Sequence, residues 1–130
     1  MGKQATVLLV DDDPDFVEAT KVVLESKYRV IVAYNGEDGL KNVVAEKPDL
    51  VILDVVMPGR NGFEICKELK TAPKYHSYCK IPVIMLTVYP DDREKARLTM
   101  FDGMIMEADE YLQKPVAPTD LLRQVEGLLK

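Results

Sequence analysis

Four short runs of apolar residues recur along the chain and predict the strands of a sheet. They occupy positions 7–10, 30–33, 50–53 and 83–86. Unbroken apolar runs of this length are typical of strands that are buried on both faces of a parallel sheet. A weaker and more polar run at 109–113 predicts a fifth strand.

Between and after these runs, apolar residues repeat at helical spacing and predict five helices. The first three apolar stripes are Phe16, Ala19 and Val23, then Leu40, Val43 and Val44, then Phe63, Cys66 and Leu69. The last two are Ala96, Met100, Phe101, Met104 and Ile105, then Leu121, Leu122, Val125, Leu128 and Leu129. Asp13 followed by Pro14 is the pattern of an N-cap and a first helical residue, and Ala117-Pro118 starts the last helix similarly.

Strands that alternate with helices predict a doubly wound α/β domain with a parallel sheet. The chain has 130 residues, of which 47% are hydrophobic and 30% charged. This length and mixture suit one globular domain with its own core. We therefore expect a single domain over 1–130, with no second domain in this chain.

Charge and composition exclude several classes of function. The formal net charge of -5 repels phosphate backbones, so we expect protein partners and no direct binding of nucleic acid. No apolar run is long enough to cross a bilayer, and no signal peptide opens the chain, so we expect a cytoplasmic protein that does not bind membranes. With one histidine and with Cys66 and Cys79 far apart, the sequence does not complete a Cys/His metal site.

Polar residues follow the predicted strands where the functional crevice of an open parallel sheet lies. Asp11, Asp12 and Asp13 follow the first strand, Asp54 the third, Thr87 the fourth, and Lys114 the fifth. Asp13 is explained as a helix cap, but the other carboxylates are not. Carboxylates gathered at one crevice repel one another unless a cation or ammonium neutralises them. Mg2+ together with Lys114 meets that demand.

These residues, in this order, resemble the receiver domain of two-component response regulators from position 7 to 130. The resemblance rests on four segments: Asp11-Asp12, Leu53-Asp54 followed by Met57-Pro58 and Gly62, Thr87 after its apolar run, and positions 109–115 ending in Lys114-Pro115. It implies the flavodoxin-like strand order 2-1-3-4-5, with five helices on both faces of the sheet.

The resemblance implies a phosphorylation-dependent signalling switch rather than a turnover enzyme. Asp54 then accepts a phosphoryl group from a histidine kinase or a histidine phosphotransfer protein. Lys114 and Thr87 are implied to contact that group, and Thr87 with Tyr111 to form the switch that alters a partner-binding surface. The bond before Pro115 is implied to be cis.

The resemblance also implies a divalent cation, Mg2+ or another such as Mn2+. Asp12 resembles the direct carboxylate ligand, and Asp11 the one that acts largely through water. Asp54 and the backbone carbonyl of Val56 complete the implied ligands. No other cofactor is expected.

Alternatives remain at this point. The chain could be a phosphorylation-independent interaction module on the same fold, or a receiver fragment of a longer regulator. A flavin binder is disfavoured because the loops after the strands are acidic, and a phosphohydrolase because Asp54-Val55-Val56 lacks a second carboxylate. The interval from Thr87 to Lys114 is longer than the family pattern by about one helical turn, and Glu107 replaces an expected glycine. The sequence leaves the downstream partner and the oligomeric state open.

Overall fold

The computed structural model describes residues 4–55, 57, 61–87 and 108–129, which form an α/β fold around one sheet. Its strands are β1 (Thr6–Val10), β2 (Arg29–Ala33), β3 (Leu50–Asp54), β4 (Val83–Thr87) and β5 (Glu110–Gln113). Its described α-helices are α1 (Pro14–Leu24), α2 (Gly36–Glu46), α3 (Gly62–Thr71) and α4 (Pro118–Leu128), and a 3-10 helix spans Pro73–Tyr78.

All neighbouring strands are parallel, and their order across the sheet is β2-β1-β3-β4-β5. This confirms the expected order 2-1-3-4-5. The chain runs outward from β1 to β2 and then returns past β1 to β3, so the direction of winding reverses between β1 and β3. In open α/β sheets a crevice forms at this point, outside the carboxyl ends of the strands.

Helices pack on both faces of the sheet, and alternate residues of β1 show the two faces. Leu8 and Val10 belong to a core cluster with residues of α2, α3 and the 3-10 helix. Val7 and Leu9 belong to a second cluster with residues of α1 and α4. The predicted helix around 96–105 lies outside the described residues.

The prediction that four strands are buried on both faces was wrong for β2. Of its five residues only Ala33 is buried, and Arg29 is exposed. The reason is position, because β2 lies at an edge of the sheet and has one neighbouring strand. An apolar run alone does not reveal whether a strand has one neighbour or two.

The predicted buried stripe of α1 was also displaced by one residue. The buried residues are Val17, Thr20 and Leu24, whereas Ala19 is exposed. Burying Leu24 removes far more apolar area from water than burying Ala19 would. This gain outweighs the cost of burying the polar Thr20 within the stripe. In α2, Leu40 and Val43 are buried as predicted, but Val44 is 45% exposed.

The predicted cap of α1 is confirmed. Asp13 caps α1 by accepting hydrogen bonds from the backbone N–H groups of Asp15 and Phe16. Cys66 and Cys79 are free thiols. Among the residues described, no helix combines the length and apolar character needed to cross a bilayer.

Candidate functional site

Four polar residues lie at the carboxyl edge of the sheet, as the sequence predicted. Asp54 and Thr87 are the last residues of β3 and β4, while Asp11 and Lys114 directly follow β1 and β5. The strands are parallel, so their carboxyl ends lie at one edge. Asp11 and Lys114 are 103 positions apart in the chain, yet the Lys114 Nζ lies 2.7 Å from the Asp11 Oδ2.

The turn between β1 and α1 places its three aspartates in three different environments. Asp11 is fully buried, and its Oδ1 accepts a hydrogen bond of 3.0 Å from the backbone N–H of Asp13. Asp12 is exposed. Asp13 uses its side chain to cap α1, which leaves Asp11 and Asp12 as the carboxylates available to the crevice.

Asp54 is a carboxylate held almost entirely out of solvent, with 3% of its surface exposed. Burial, and next the negative charge of Asp11, raise the pKa of Asp54 to about 6 despite the opposing charge of Lys114. Desolvation and like charges both disfavour the ionised form. The described groups around Asp54 therefore do not fully neutralise it.

Lys114 is the ammonium that faces these carboxylates. Its Nζ lies 2.7 Å from Asp11 and 3.5 Å from the Asp54 Oδ1, and its side chain is 18% exposed. Burial lowers the pKa of Lys114, but the hydrogen bond to Asp11 and the charges of Asp54 and Asp11 outweigh it. The pKa therefore lies above the ordinary lysine value. Lys114 thus remains charged at neutral pH.

Thr87 ends β4 with a buried hydroxyl that has no hydrogen-bond partner in the described part of the chain. Its carbonyl accepts a hydrogen bond of 2.7 Å from the backbone N–H of Lys114, which ties the ends of β4 and β5 together. A buried hydroxyl without a partner is costly. An acceptor supplied by a ligand at this edge would satisfy it.

Tyr111 lies in β5 and packs, half-buried, against the core cluster that contains Met85. Its hydroxyl accepts a hydrogen bond of 3.3 Å from the backbone N–H of Ala108. The ring is therefore held at the side of the sheet, two register positions from the end of β4. Its predicted switching role stays a prediction. The bond between Lys114 and Pro115 is cis, as expected.

The carboxylates fit a divalent cation. One carboxylate oxygen from each of Asp11, Asp12 and Asp54 lies within 4.8 Å of the other two. Three carboxylates face one ammonium, which leaves excess negative charge, and carboxylate oxygens are the ligands that Mg2+ prefers. The set is consistent with divalent metal binding. The remaining predicted ligand, the carbonyl of Val56, lies outside the described residues.

Sequence reasoning missed one neighbour of the site, the ring of Phe16. The Lys114 Nζ lies 4.6 Å from the centroid of this ring. The sequence placed Phe16 only within an apolar stripe of α1. The signal available in the sequence was the position of Phe16 three residues after the capping Asp13. This position puts Phe16 in the first turn of α1, beside the crevice.

Comparisons with known proteins agree with this geometry. The response regulator receiver domain family matches residues 7–126. The alkaline phosphatase synthesis transcriptional regulatory protein PhoP of Bacillus subtilis is 35% identical over 125 residues, which cover 95% of this chain and 48% of that protein. The chain thus spans about half the length of this curated relative.

Solved structures give the same result. The receiver domain of a signal transduction histidine kinase from Syntrophus aciditrophicus is 33% identical, with a TM-score of 0.79 over 96% of this chain and 89% of the other. The chemotaxis response regulator CheY4 of Vibrio cholerae is 28% identical, with a TM-score of 0.79 over 98% of this chain and 100% of the other. With its fold, its strand-end residues and these matches agreeing, the chain belongs to the receiver domains of two-component response regulators.

Proposed function

We propose that this receiver domain is a phosphoacceptor switch in which Asp54 takes a phosphoryl group from the phosphohistidine of a sensor histidine kinase or a phosphotransfer protein. The observation that carries the proposal is the arrangement around Asp54. A buried carboxylate lies 3.5 Å from the Lys114 ammonium, at the sheet edge where the buried Thr87 hydroxyl has no described partner. The Asp54 carboxylate can bond to phosphorus, while the Lys114 ammonium and the Thr87 hydroxyl can contact the phosphoryl oxygens.

The reaction is a transfer between two nucleophiles. An Asp54 carboxylate oxygen forms a bond to phosphorus as the phosphorus–nitrogen bond to the donor histidine breaks. The imidazole nitrogen keeps that electron pair, and Asp54 becomes an acyl phosphate. Phosphoryl transfer depends mainly on in-line positioning and on neutralising the equatorial oxygens. Lys114 supplies positive charge there, and the Thr87 hydroxyl donates a hydrogen bond to a phosphoryl oxygen.

Asp11, Asp12 and Asp54 would hold the divalent cation, Mg2+ or Mn2+, with the carbonyl of Val56 as a further ligand. When bound, the cation neutralises charge on the carboxylates and on the incoming phosphoryl oxygens. Asp12 is the exposed member and is therefore accessible to a hydrated ion from solvent.

The same groups would also transmit the phosphorylated state to a partner-binding surface. When the Thr87 hydroxyl bonds the phosphoryl group, the end of β4 changes its contacts, and we expect Tyr111 to respond. In support of this, Tyr111 lies on the neighbouring strand, where it pairs with Met85 of β4. We propose that this response alters the surface read by a downstream protein in the cytoplasm. The domain assists its own phosphorylation and dephosphorylation but does not turn over a substrate.

The test is phosphorylation by acetyl phosphate with Mg2+, followed by intact-mass analysis. We expect one added phosphoryl group in the parent and in Asp120→Ala, which removes an exposed aspartate of α4. We expect none in Asp54→Ala. Equal labelling of Asp54→Ala would refute the site, and a parent that takes no phosphoryl group would favour a phosphorylation-independent interaction module.

Two further variants separate the roles of the neighbours. Asp12→Ala should lose Mg2+ binding, whereas Lys114→Ala should keep it and be phosphorylated roughly a hundredfold more slowly, since it lacks one group that stabilises developing charge. Tight Mg2+ binding by Asp12→Ala would contradict this division of roles.

A further inference from the structure

We propose that Phe16 is a positioning residue for Lys114, in which the face of its ring holds the ammonium between the carboxylates of Asp11 and Asp54. The inference rests on the proposed phosphoryl transfer to Asp54 for its functional consequence. Its structural part, the position of Lys114, can be measured without any phosphoryl transfer.

The contact has the geometry of a cation–π interaction. The Lys114 Nζ lies 4.6 Å from the ring centroid of Phe16. Ammonium groups within about 6 Å of an aromatic centroid are attracted to the electron-rich face, and the attraction strengthens where water is excluded. The Lys114 side chain is 18% exposed, so the interaction is largely shielded from solvent.

Three groups therefore surround the ammonium, and two of them come from one short segment. Asp11 and Phe16 both lie at the junction of β1 and α1. The Lys114 Nζ is 2.7 Å from the Asp11 Oδ2 and 4.6 Å from the ring centroid of Phe16. The third group, Asp54 at 3.5 Å, comes from β3. The junction thus presents a carboxylate and a ring face together to a lysine from the far end of the chain.

The local structure of α1 fixes the ring in place. Asp13 caps the helix and accepts a hydrogen bond from the backbone N–H of Phe16, which sets the first turn. The side chain also packs, partly buried, against the core cluster between the sheet and the helices α1 and α4. The ring is thus anchored through both its backbone and its side chain, and it presents a fixed surface to the Lys114 ammonium.

The consequence for the reaction is preorganisation. A free lysine side chain samples many rotamers. Ordering it costs conformational entropy, which offsets part of the free energy of any contact that it makes. A lysine that already rests against the ring needs less ordering when a phosphoryl group arrives at Asp54. Leucine at position 16 preserves apolar packing but lacks the negative ring face, so it removes the attraction selectively.

The first experiment measures the position of Lys114 in the full chain. Carbon–proton NMR spectra of the parent, assigned with Lys114→Arg, should show the Lys114 ε-methylene protons upfield of those of lysines that lie over no ring, because they lie near a ring face. Lys74, whose Nζ lies 5.2 Å from the centroid of Tyr75, should be displaced likewise and should be unaffected by changes at Phe16. We expect Phe16→Leu to abolish the Lys114 displacement and Phe16→Tyr to retain it. Tyr28→Leu is the matched control, because it removes another ring packed on the same cluster and should leave the Lys114 signal in place.

The second experiment measures function with acetyl phosphate and saturating Mg2+. Phe16→Leu should be phosphorylated about fivefold more slowly, the factor expected from losing a cation–π contact of this kind, and Phe16→Tyr should recover most of the parent rate. In a Lys114→Ala background, Phe16→Leu should have no further effect. A purely structural role for Phe16 would instead slow both backgrounds equally.

The outcomes separate this inference from the function on which it rests. Unchanged Lys114 signals in Phe16→Leu, or equal slowing with and without Lys114, would overturn the positioning role. If the parent takes no phosphoryl group, the proposed function fails, and the NMR result alone then decides whether Phe16 positions Lys114.

Discussion

At the scale of single residues, the site concentrates negative charge that the described groups neutralise only in part. Asp54 is 3% exposed and lies beside the buried Asp11, while Lys114 supplies the facing positive charge. Buried charges of this kind are kept at a cost in stability. Such a cost is typical of a functional site, where groups are arranged for a ligand rather than for the stability of the fold.

The first prediction concerns Asp54→Asn in buffer without divalent cations. The pKa of Asp54 is about 6 in the folded protein, against an ordinary aspartate value of 3.8, so the folded state binds the proton more tightly than the unfolded state. The contribution of Asp54 to stability is most favourable below pH 3.8, falls as the pH rises through the folded pKa near 6, and is lower by at most about 3 kcal/mol above it. Asp54→Asn should therefore have a higher free energy of unfolding than the parent at pH 7.5, and the difference should be smaller at pH 4.5.

Urea unfolding at the two pH values measures this difference. Glu18→Gln, which removes a charge from an exposed position of α1, is the control and should change the free energy of unfolding little at either pH. A lower stability of Asp54→Asn at pH 7.5 would show that Lys114 compensates Asp54 fully.

The second prediction concerns Thr20, a fully buried residue of α1 whose hydroxyl has no hydrogen-bond partner among the described residues. Thr20→Val replaces that hydroxyl with a methyl group of similar shape. Removing a buried unsatisfied polar group should raise the free energy of unfolding by about 1 kcal/mol. The midpoint of urea denaturation should rise with an unchanged slope, while Thr20→Ser, which keeps the hydroxyl, should lower it.

At the scale of elements, the start of α3 fixes the end of β3. Asn61 and Glu64 form a reciprocal capping box, and the backbone N–H of Gly62 donates a hydrogen bond of 2.8 Å to the carbonyl of Val55. A Cβ at Gly62 would lie 2.3 Å from the backbone oxygen of Asp54. The absence of a side chain at Gly62 therefore allows the helix to approach the strand that carries Asp54.

The third prediction compares two glycine substitutions. Gly62→Ala should lower the free energy of unfolding by about 1–3 kcal/mol, because the atoms it meets are backbone and cannot move freely. It should also slow phosphorylation by displacing the end of β3. Gly127→Ala is the matched control in α4, where a Cβ meets nothing within 4 Å, and should stabilise by about 0.5–1 kcal/mol.

Unfolding curves and acetyl phosphate labelling of both variants test this comparison. If Gly62→Ala matched Gly127→Ala in both measurements, the close approach of α3 to β3 would not be needed for either property.

At the scale of the whole molecule, the acidic site exists only when the sheet is assembled. Asp11 and Asp12 follow β1 while Asp54 ends β3, and parallel pairing of these strands brings the three carboxylates within 4.8 Å. The unfolded chain does not hold Asp54 near Asp11 and Asp12. A cation held by this set would therefore bind the folded state in preference to the unfolded state.

The fourth prediction is that Mg2+ stabilises the parent against unfolding. A ligand that binds only the folded state adds about 2.7 kcal/mol at a concentration of 100 times its Kd. Thermal unfolding in MgCl2 and in NaCl of equal ionic strength measures the effect. Asp12→Ala should lose this difference, and an equal gain in parent and variant would contradict the proposed ligand set.

Much of this organisation was predictable from the chain alone. The strands, the capping of α1 by Asp13, and the delivery of Asp54, Thr87 and Lys114 to one edge follow from apolar runs and from the residues that end them. These signals are local, because strand and helix periodicity depend on neighbours in sequence. The strand order was reached through the family resemblance, and the pairing of the strands confirms it.

Only the tertiary structure decided how deeply each residue is buried and which distant groups meet. It left most of β2 only partly buried, turned α1 onto Val17 and Leu24, and placed the ring of Phe16 beside Lys114. It also set the raised pKa of Asp54, which depends on burial and on the charge of Asp11. These properties arise from contacts between segments far apart in the chain, so local sequence patterns do not encode them.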